Sequence, residues 1–204
     1  MRDLNEEFGD IDVYLFDQLL RGRIAPGMRV LDAGCGGGRN LVFLMREGYD
    51  VCGADSSAAA IEAVRALAAR LAPSLPADAF RVEPVERMSF ADASADVVVV
   101  SAVLHFARDD AHFHAMLGEC WRVLRPGGLF FARLASTAGL DGQLRPLGDN
   151  RYVLPDGSTR YLVDEARLAA AAAALGGTLV DPLKTTLVHG MRSMTTWVLR
   201  KAGA

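Results

Sequence analysis

The sequence has little cysteine, few aromatic residues and no long hydrophobic run. Its three cysteines show no Cys-x-x-Cys spacing, and a chain of 204 residues can bury a core without disulfide bonds. We therefore expect free thiols and a cytoplasmic protein. The longest apolar runs, 97–104 and 169–175, are far shorter than the roughly 20 residues of a membrane-spanning helix. These absences favour a soluble domain over a disulfide-stabilised module or a membrane protein.

The sequence also lacks an excess of charge of either sign. Its 22 lysine and arginine residues stand against 25 aspartate and glutamate residues, which gives a formal net charge of -3. Such a weak field does not attract nucleic acid or an anionic membrane surface, so we expect neither as a partner. The opening residues 1–7 are polar and acidic, which predicts no secretory signal.

Apolar runs alternate with helical patterns along most of the chain. Strands are predicted at 28–33, 51–54, 80–83, 95–100, 129–134, 178–188 and 195–200. Helices are predicted at 11–20, 40–46, 58–71, 109–123 and 163–175. The Val-rich run 95–100 is typical of a central strand, and the last two strands are close enough to form an antiparallel hairpin. The pattern predicts an α/β Rossmann-like three-layer sandwich with a mostly parallel seven-stranded sheet and an antiparallel strand from the C-terminal hairpin.

Two segments lie outside this alternation. Residues 1–26 form an N-terminal helical segment, which is either a lid over the active site or a helix that packs on the core; residues 27–204 form the main domain. Residues 135–161 are rich in Gly, Pro, Asp and Asn and are long for a loop. We interpret them as a substrate-facing insertion, with a partly mobile lid as the alternative.

A glycine-rich turn follows the first predicted strand. The sequence Asp32-Ala33-Gly34-Cys35-Gly36-Gly37-Gly38 lacks side chains at four of the five positions after Ala33, and the next helix presents free N–H groups to a ligand. About 20 residues later the second strand ends at Asp55, whose carboxylate is placed to accept hydrogen bonds from two ribose hydroxyls. Asp55 is alternatively a helix N-cap. Together these features predict an adenosine-containing ligand.

The spacing separates two classes of such ligands. In the dinucleotide fingerprint G-x-G-x-x-G the third glycine falls on Arg39, so the match fails. The D-x-G-x-G-x-G pattern from Asp32 instead resembles the first motif of the class I S-adenosylmethionine-dependent methyltransferases. Asp55 resembles the acidic end of their second strand, and the sequence 124–128, Leu-Arg-Pro-Gly-Gly, is similar to their turn before the fifth strand. Within that family the turn looks loosely like the tellurite-resistance branch, which acts on small molecules.

The resemblance implies roles for particular residues. Asp32 and the backbone of Gly34, Cys35 and Gly36 would contact the methionine part of S-adenosylmethionine, and Asp55 would hold the ribose. Ser56 would lie against the adenine, and Ser101 would line the same pocket. No metal is implied.

The adenine-binding position departs from the family pattern. Pro84 stands where such enzymes usually have an Asp, in the sequence Val82-Glu83-Pro84-Val85-Glu86. Either Glu83 or Glu86 substitutes for that Asp, or backbone carbonyls read the amino group, with the Val85 N–H left for the ring.

Several other side chains invite chemical roles. His105 follows the central strand and is a candidate general base for the acceptor, or else part of the cofactor pocket. His105, His112 and His114 do not have the spacing of a metal site. Arginines in the later part of the chain are either solvated or hold an anionic substrate, namely Arg133, Arg145, Arg151, Arg160 and Arg192.

The combined interpretation is methyl transfer from S-adenosylmethionine to a small-molecule acceptor by in-line displacement. The residues after the central strand, Ser101-Ala102-Val103-Leu104, do not resemble the DPPY or NPPY sequence of enzymes that methylate base amines. One alternative is a non-catalytic module that binds S-adenosylmethionine or S-adenosylhomocysteine. A second is a nucleotide-dependent oxidoreductase. The acceptor and the oligomeric state are not indicated by the sequence.

Overall fold

A computed structural model of the protein describes residues 3–203, so Met1, Arg2 and Ala204 lie outside the described residues. The helices in this range are α1 (Leu4–Phe8), α2 (Val13–Leu20), α3 (Val42–Arg46), α4 (Ala58–Leu71), α5 (Asp110–Val123) and α6 (Glu165–Leu175). The first strands are β1 (Arg29–Ala33), β2 (Asp50–Asp55), β3 (Phe80–Val82), β4 (Ala95–Ser101) and β5 (Leu124–Ala135). The later strands are β6 (Arg145–Gly148), β7 (Arg151–Val153), β8 (Thr159–Tyr161), β9 (Gly177–Leu179), β10 (Lys184–Val188) and β11 (Arg192–Lys201).

The main sheet has the order β10-β11-β5-β4-β1-β2-β3, and the short strand β9 also pairs with β11. The pairs β1–β2, β2–β3, β1–β4 and β4–β5 are parallel. Strand β11 is antiparallel to both β5 and β10. This arrangement confirms the predicted Rossmann-like sheet with one reversed strand from the C-terminal hairpin, but the sheet has eight strands instead of the predicted seven, because β9 is a separate strand.

The central strand of the sheet is β4. Its residues Val97, Val98, Val99 and Val100 are all 0% exposed, as the continuous Val-rich run predicts for a strand covered on both faces. Because β4 lies between β1 and β5, the chain that leaves its carboxyl end at Ser101 emerges in the middle of the sheet. Parallel sheets bind ligands at that edge.

Three helices begin at the capping residues that the sequence offers. Ser57, Asp109 and Asp164 each accept a hydrogen bond from the backbone N–H three residues later, which satisfies a group that has no partner within the helix. Helix α6 ends at Gly176, whose φ of 66° is left-handed. The predicted positions of these helices are confirmed.

The segment 135–161 is not the irregular loop that its composition predicts. It contains a separate three-stranded antiparallel sheet of β6, β7 and β8. Its strands are only three or four residues long and its side chains alternate little, so the pattern of a half-buried strand is absent. The turn-forming residues of this segment therefore predict a loop instead of strands.

The predicted strand 178–188 is interrupted. It divides into β9 and β10, which pair with opposite ends of β11. Pro182 lies in the interruption, where a residue without an N–H cannot continue the ladder. The side chain of Asp181 turns inward there and pairs with Arg23 at 2.6 Å.

No helix within residues 3–203 combines the length and the apolar character needed to cross a bilayer. The N-terminal part of the chain packs on the main sheet: Leu15 of α2 is 0% exposed and belongs to the main core. The ring of Phe8 in α1 stacks on Phe43 with centroids 5.3 Å apart. Helix α1 was not predicted, because a five-residue helix shows no apolar periodicity.

Candidate active site

The turn between β1 and α3 depends on missing side chains. Gly34 and Gly36 have left-handed φ values of +81° and +52°. A Cβ on Gly34 would lie 2.4 Å from Cγ2 of Val103, so packing requires this glycine. A Cβ on Gly36 would meet no described atom within 4 Å, although Gly36 lines a cleft. Gly36 therefore keeps space free for a ligand.

That cleft has a volume of about 780 Å³ and lies at the carboxyl ends of β1, β2 and β4. Its size and position are typical of a ligand site in a parallel α/β sheet. Most residues that the sequence analysis assigns to the cofactor line it, namely Gly34, Cys35, Gly36, Asp55, Ser56, Val85 and Ser101.

Asp55 connects the end of β2 to the glycine turn. Its Oδ2 accepts a hydrogen bond from the backbone N–H of Gly36 at 2.9 Å, and its Oδ1 accepts one from Ser57 at 2.8 Å. The N-cap of α4 is Ser57, so Asp55 does not fill that role. A carboxylate has about four acceptor positions, and these bonds leave lone pairs on both oxygens. Asp55 can therefore accept hydrogen bonds from two further donors in the cleft.

Asp32 lies beneath the turn rather than in the cleft lining. It is 1% exposed, and its Oδ2 is buried with no hydrogen-bond partner among the described residues. Burial raises the pKa of Asp32 to about 7, although the charge of Arg39 acts in the opposite direction. A buried carboxylate of this kind favours a cation or an N–H donor next to it.

At the far end of the cleft, the assignment of Glu83 to the adenine is wrong. Glu83 is not part of the lining; its carboxylate instead accepts hydrogen bonds from the backbone and hydroxyl of Ser89. Pro84 and Val85 line the cleft in its place. The chain turns after β3, so the side chain of Glu83 bonds to Ser89 at the surface, while the next two residues line the cleft.

Glu86 also does not line the cleft, but it contacts a residue that does. Its Oε1 lies 3.1 Å from Nε2 of His112, and His112 lines the cleft. The Nδ1 of His112 accepts the backbone N–H of Arg108 at 3.1 Å, so in the neutral ring the proton is on Nε2. This contact does not have hydrogen-bond geometry, so Glu86 affects this end of the cleft through its charge beside His112.

The N-terminal segment closes one side of the cleft, since Gly9 and Asp10 are part of its lining. The segment is fixed there by Asp12, whose side chain is 0% exposed and pairs with Arg133 at 3.0 Å. The backbone N–H of Asp12 donates to Oδ1 of Asn40 at 3.0 Å. Sequence reasoning missed this network; the only signal for it is an Asp directly before an apolar helical pattern, which indicates an N-cap.

A second cavity of about 340 Å³ adjoins the cleft, and Arg39 and Ala102 line both. His105 lies in this second cavity and not in the cleft. Three of the arginines from the later part of the chain also line it, namely Arg133, Arg160 and Arg192. Arg145 and Arg151 do not. In the sequence Arg39 is a residue of the glycine turn, and no local pattern indicates its place in this second cavity.

The ring of His105 is neutral and its tautomer is fixed. Burial lowers the pKa of His105 to about 4, and the charge of Arg160 acts in the same direction. The backbone N–H of Ala135 donates to Nδ1 at 3.3 Å, so the remaining proton is on Nε2. In this state His105 presents a hydrogen-bond donor. Its role as a general base stays a prediction, and the tautomer does not favour it.

Cys35 has no activated thiol. It is buried, and burial raises the pKa of its thiol above the ordinary value, with the charges of Asp32 and Asp55 acting in the same direction. A thiol kept protonated is a poor nucleophile.

Within residues 3–203 no group of three His, Cys, Asp or Glu side chains is arranged to hold a metal ion.

Comparison with known proteins gives a family. The family described as "Methyltransferase domain" matches residues 31–132, half of the chain. A ubiquinone biosynthesis O-methyltransferase from Chelativorans sp. (strain BNC1) is 34% identical over 172 residues, which cover 80% of this chain and 63% of that protein. The chain thus spans less than two thirds of the length of this relative.

Solved structures with the same fold agree with this match. A methyltransferase from Methanosarcina mazei described as S-adenosylmethionine-dependent has a TM-score of 0.73 at 21% identity, over 91% of this chain and 98% of that one. A 1,6-didemethyltoxoflavin-N1-methyltransferase from Burkholderia thailandensis, solved with its substrate and S-adenosylhomocysteine, has a TM-score of 0.70 at 21% identity. The alignment covers 98% of this chain and 82% of that one. At this identity the likeness concerns the fold.

Proposed function

The chain belongs to the class I S-adenosylmethionine-dependent methyltransferases, and on that premise we propose that it transfers a methyl group from S-adenosylmethionine to a small-molecule acceptor. The observation that carries this proposal is the position of Asp55 at the carboxyl end of β2, bonded to Gly36 and with free lone pairs facing the cleft. The small-molecule acceptor is supported by the name of one relative, a ubiquinone biosynthesis O-methyltransferase, and by that of one structural neighbour, a 1,6-didemethyltoxoflavin-N1-methyltransferase.

The residues present fit the cofactor. The space beside Gly36 that a Cβ would fill allows the ligand to approach the backbone of the turn. Asp55 would hold the ribose hydroxyls. Asp32 does not line the cleft, so its buried carboxylate would act on the positively charged methionine end through its charge and not by direct contact. Ser56 and Val85 would flank the adenine.

Bound S-adenosylmethionine supplies an already activated methyl group on a sulfonium centre. The protein therefore has to bind, orient and desolvate, and orientation alone can contribute about 7–11 kcal/mol to such a reaction. The N-terminal segment excludes water from one side of the cleft through Gly9 and Asp10. Arg39 and Ala102 line both the cleft and the second cavity, and we assign the second cavity to the acceptor.

Within this proposal His105 positions the acceptor through its Nε2 hydrogen. The residues that form the cofactor site are Gly34, Cys35, Gly36, Asp55, Ser56, Val85 and Ser101, with Asp32 buried behind them. We also propose that residues 3–26 act as a fixed wall rather than a moving lid, because the side chain of Asp12 is 0% exposed and ion-paired. The three cysteines are free and buried, which supports a cytoplasmic location.

The test of this function has two parts. Calorimetry should show binding of S-adenosylmethionine and S-adenosylhomocysteine but not of NADH, which separates a methyltransferase from an oxidoreductase. Formation of S-adenosylhomocysteine in the presence of a panel of small phenols, amines and carboxylic acids should then show turnover. Binding without turnover on any acceptor would favour a non-catalytic module, and binding of NADH alone would contradict the proposal.

A further inference from the structure

The second cavity is unusually rich in guanidinium groups. Four arginines line this cavity of about 340 Å³, namely Arg39 from the glycine turn, Arg133 from β5, Arg160 from β8 and Arg192 from β11. These elements are far apart in sequence, so only the fold brings the charges together.

Little of this charge is neutralised by an ion pair with a carboxylate, although Arg39 donates to the carbonyl of Asp10 at 3.4 Å and to the hydroxyl of Ser101 at 3.3 Å. In the part of the chain that the structure describes, only Arg133 of these four has a carboxylate within ion-pairing distance, that of Asp12 at 3.0 Å. Arg160 donates to the backbone carbonyl of Thr159 and lies 4.8 Å from the ring centroid of Phe106. Arg39 and Arg192 are exposed and Arg160 is half-buried, so water screens part of the repulsion between these like charges, and an anion between them lowers the part that remains.

One carboxylate, that of Asp156, also lines the cavity and offsets part of this charge. Both of the hydrogen bonds that its Oδ1 accepts come from Ser158, at 2.6 Å from the hydroxyl and 2.9 Å from the backbone N–H. These bonds hold the pKa of Asp156 below its ordinary value, and the charges of Arg160 and Arg192 act in the same direction, so Asp156 already balances part of the charge of these two arginines. Three guanidinium groups without an ion pair, Arg39, Arg160 and Arg192, still outnumber it.

The remaining lining fits a small molecule with one anionic and one apolar part. His105 contributes a neutral ring whose Nε2 is a donor, and a donor matches an acceptor-rich group. Leu154, Val188 and Met194 contribute apolar surface. Arg160 and Arg192 line only the second cavity, whereas Arg39 and Ala102 adjoin the cofactor cleft as well.

We propose that the second cavity takes an acceptor that carries a carboxylate or phosphate group, held between Arg160 and Arg192, with its methyl-accepting atom directed past Ala102 into the cleft. This inference rests on the proposed function, because it takes the cleft to be the methyl-donor site. The planar guanidinium group of Arg matches the two oxygens of such an anion, which gives orientation as well as affinity.

The test uses matched probes on the full chain saturated with S-adenosylhomocysteine. Benzoate, phenyl phosphate and the neutral isostere benzamide are titrated separately and followed by NMR. Hydrogen bonds to charged groups predict that an anionic probe binds about 10–100-fold more tightly than benzamide. Comparison of benzoate with phenyl phosphate distinguishes the two anions.

Variants then locate the binding. The double variant Arg160→Gln/Arg192→Gln should lose most of the preference for the anion. The control Arg145→Gln/Arg151→Gln, which also removes two charges but from β6 and β7 outside the cavity, should keep it. S-adenosylhomocysteine should bind all of these proteins equally. Equal binding of benzoate and benzamide to the wild-type protein, no binding of any probe, or an anion preference that survives the double variant would overturn the inference. Failure of S-adenosylhomocysteine to bind would instead refute the proposed function.

Discussion

Oδ2 of Asp55 accepts a hydrogen bond from the backbone N–H of Gly36 at 2.9 Å, which ties the end of β2 to the turn that follows β1. The two residues are 19 positions apart in sequence, and both line the same cleft. The bond fixes the carboxylate and the open backbone face in one geometry before any ligand arrives. Preorganisation of this kind lowers the cost of binding.

The open position at Gly36 predicts a loss of cofactor binding without a matching loss of stability. In Gly36→Ala the new methyl group projects into the cleft, so we expect affinity for S-adenosylhomocysteine to fall by at least about tenfold. The left-handed φ of +52° adds a cost of about 1 kcal/mol to folding. Calorimetry and urea denaturation measure the two effects.

The matched control is Gly48→Ala. Gly48 has a φ of +73° and open space at its Cβ position, but it does not line the cleft. This variant should show the same cost of folding with unchanged affinity. Equal affinities of the two variants would contradict the assignment of the space beside Gly36 to a ligand.

Asp32 predicts a pH-dependent stability. Its pKa in the folded protein is about 7, above the value of about 3.9 in an unfolded chain, so the native state holds the proton more tightly. Its contribution to stability is therefore present at low pH and is lost as the pH rises from about 4 to about 7. Asp32→Asn should raise the free energy of unfolding at pH 8 by on the order of 2 kcal/mol and by less at pH 4.5.

The same variant should bind S-adenosylmethionine more weakly, because the ionised Asp32 is the group that suits a cation. Denaturation at the two pH values and calorimetry at pH 8 test both effects. A variant that is less stable than the wild type at pH 8 would show that the buried charge is not a cost.

The low pKa of His105 predicts that the pH profile of activity shows no titration of this histidine near neutral pH. Because its pKa is about 4, the ring stays neutral across the neutral range, and its contribution to stability is lost only as the pH falls from about 6.5 to about 4. The value of kcat/KM should therefore show no titration of this residue between about pH 5.5 and 8. His105→Gln keeps an N–H donor and should retain most activity, while His105→Leu should lose about tenfold. A group with a pKa near 6.5 that disappears in His105→Gln would restore the general-base role.

Asp12 predicts a structural rather than a chemical effect. Asp12→Ala removes the N-cap of α2 and leaves Arg133 without its carboxylate, so the free energy of unfolding should fall by about 2–4 kcal/mol. Asp17→Ala in the same helix removes ion pairs that are partly exposed and should cost less than about 1 kcal/mol. Thermal and urea denaturation measure the free energy of unfolding of both variants. Equal decreases would show that the buried pair of Asp12 and Arg133 stabilises the protein no more than the exposed pairs of Asp17 do.

The order of strands and helices could be predicted because each element carries its own pattern. The Val-rich run at 97–100, the cap at Ser57 and the glycine at 176 are local signals, and each defines its element without reference to the rest of the chain. The sheet of β6, β7 and β8 carries no such pattern, since its short strands are stabilised by pairing with one another. It was therefore predicted as a loop.

The cofactor cleft was predictable for the same reason, because the glycine turn and Asp55 are compact motifs. The contrast is the second cavity, where residues 39, 133, 160 and 192 meet only after folding. Glu83 is a position where the local pattern is misleading. Its place in the sequence predicts a contact with adenine, but the direction of the chain after β3 turns its side chain to Ser89.

The most direct test of the central claim is calorimetric titration of S-adenosylmethionine into the wild-type protein, Asp55→Ala and Asp50→Ala. Asp50 begins the strand that Asp55 ends and is exposed, so its variant removes the same charge far from the cleft. We predict binding near the micromolar range for the wild type and Asp50→Ala, and a loss of affinity of about 10–100-fold for Asp55→Ala. Equal affinity of Asp55→Ala and the wild type, or no binding to the wild type, would contradict this claim.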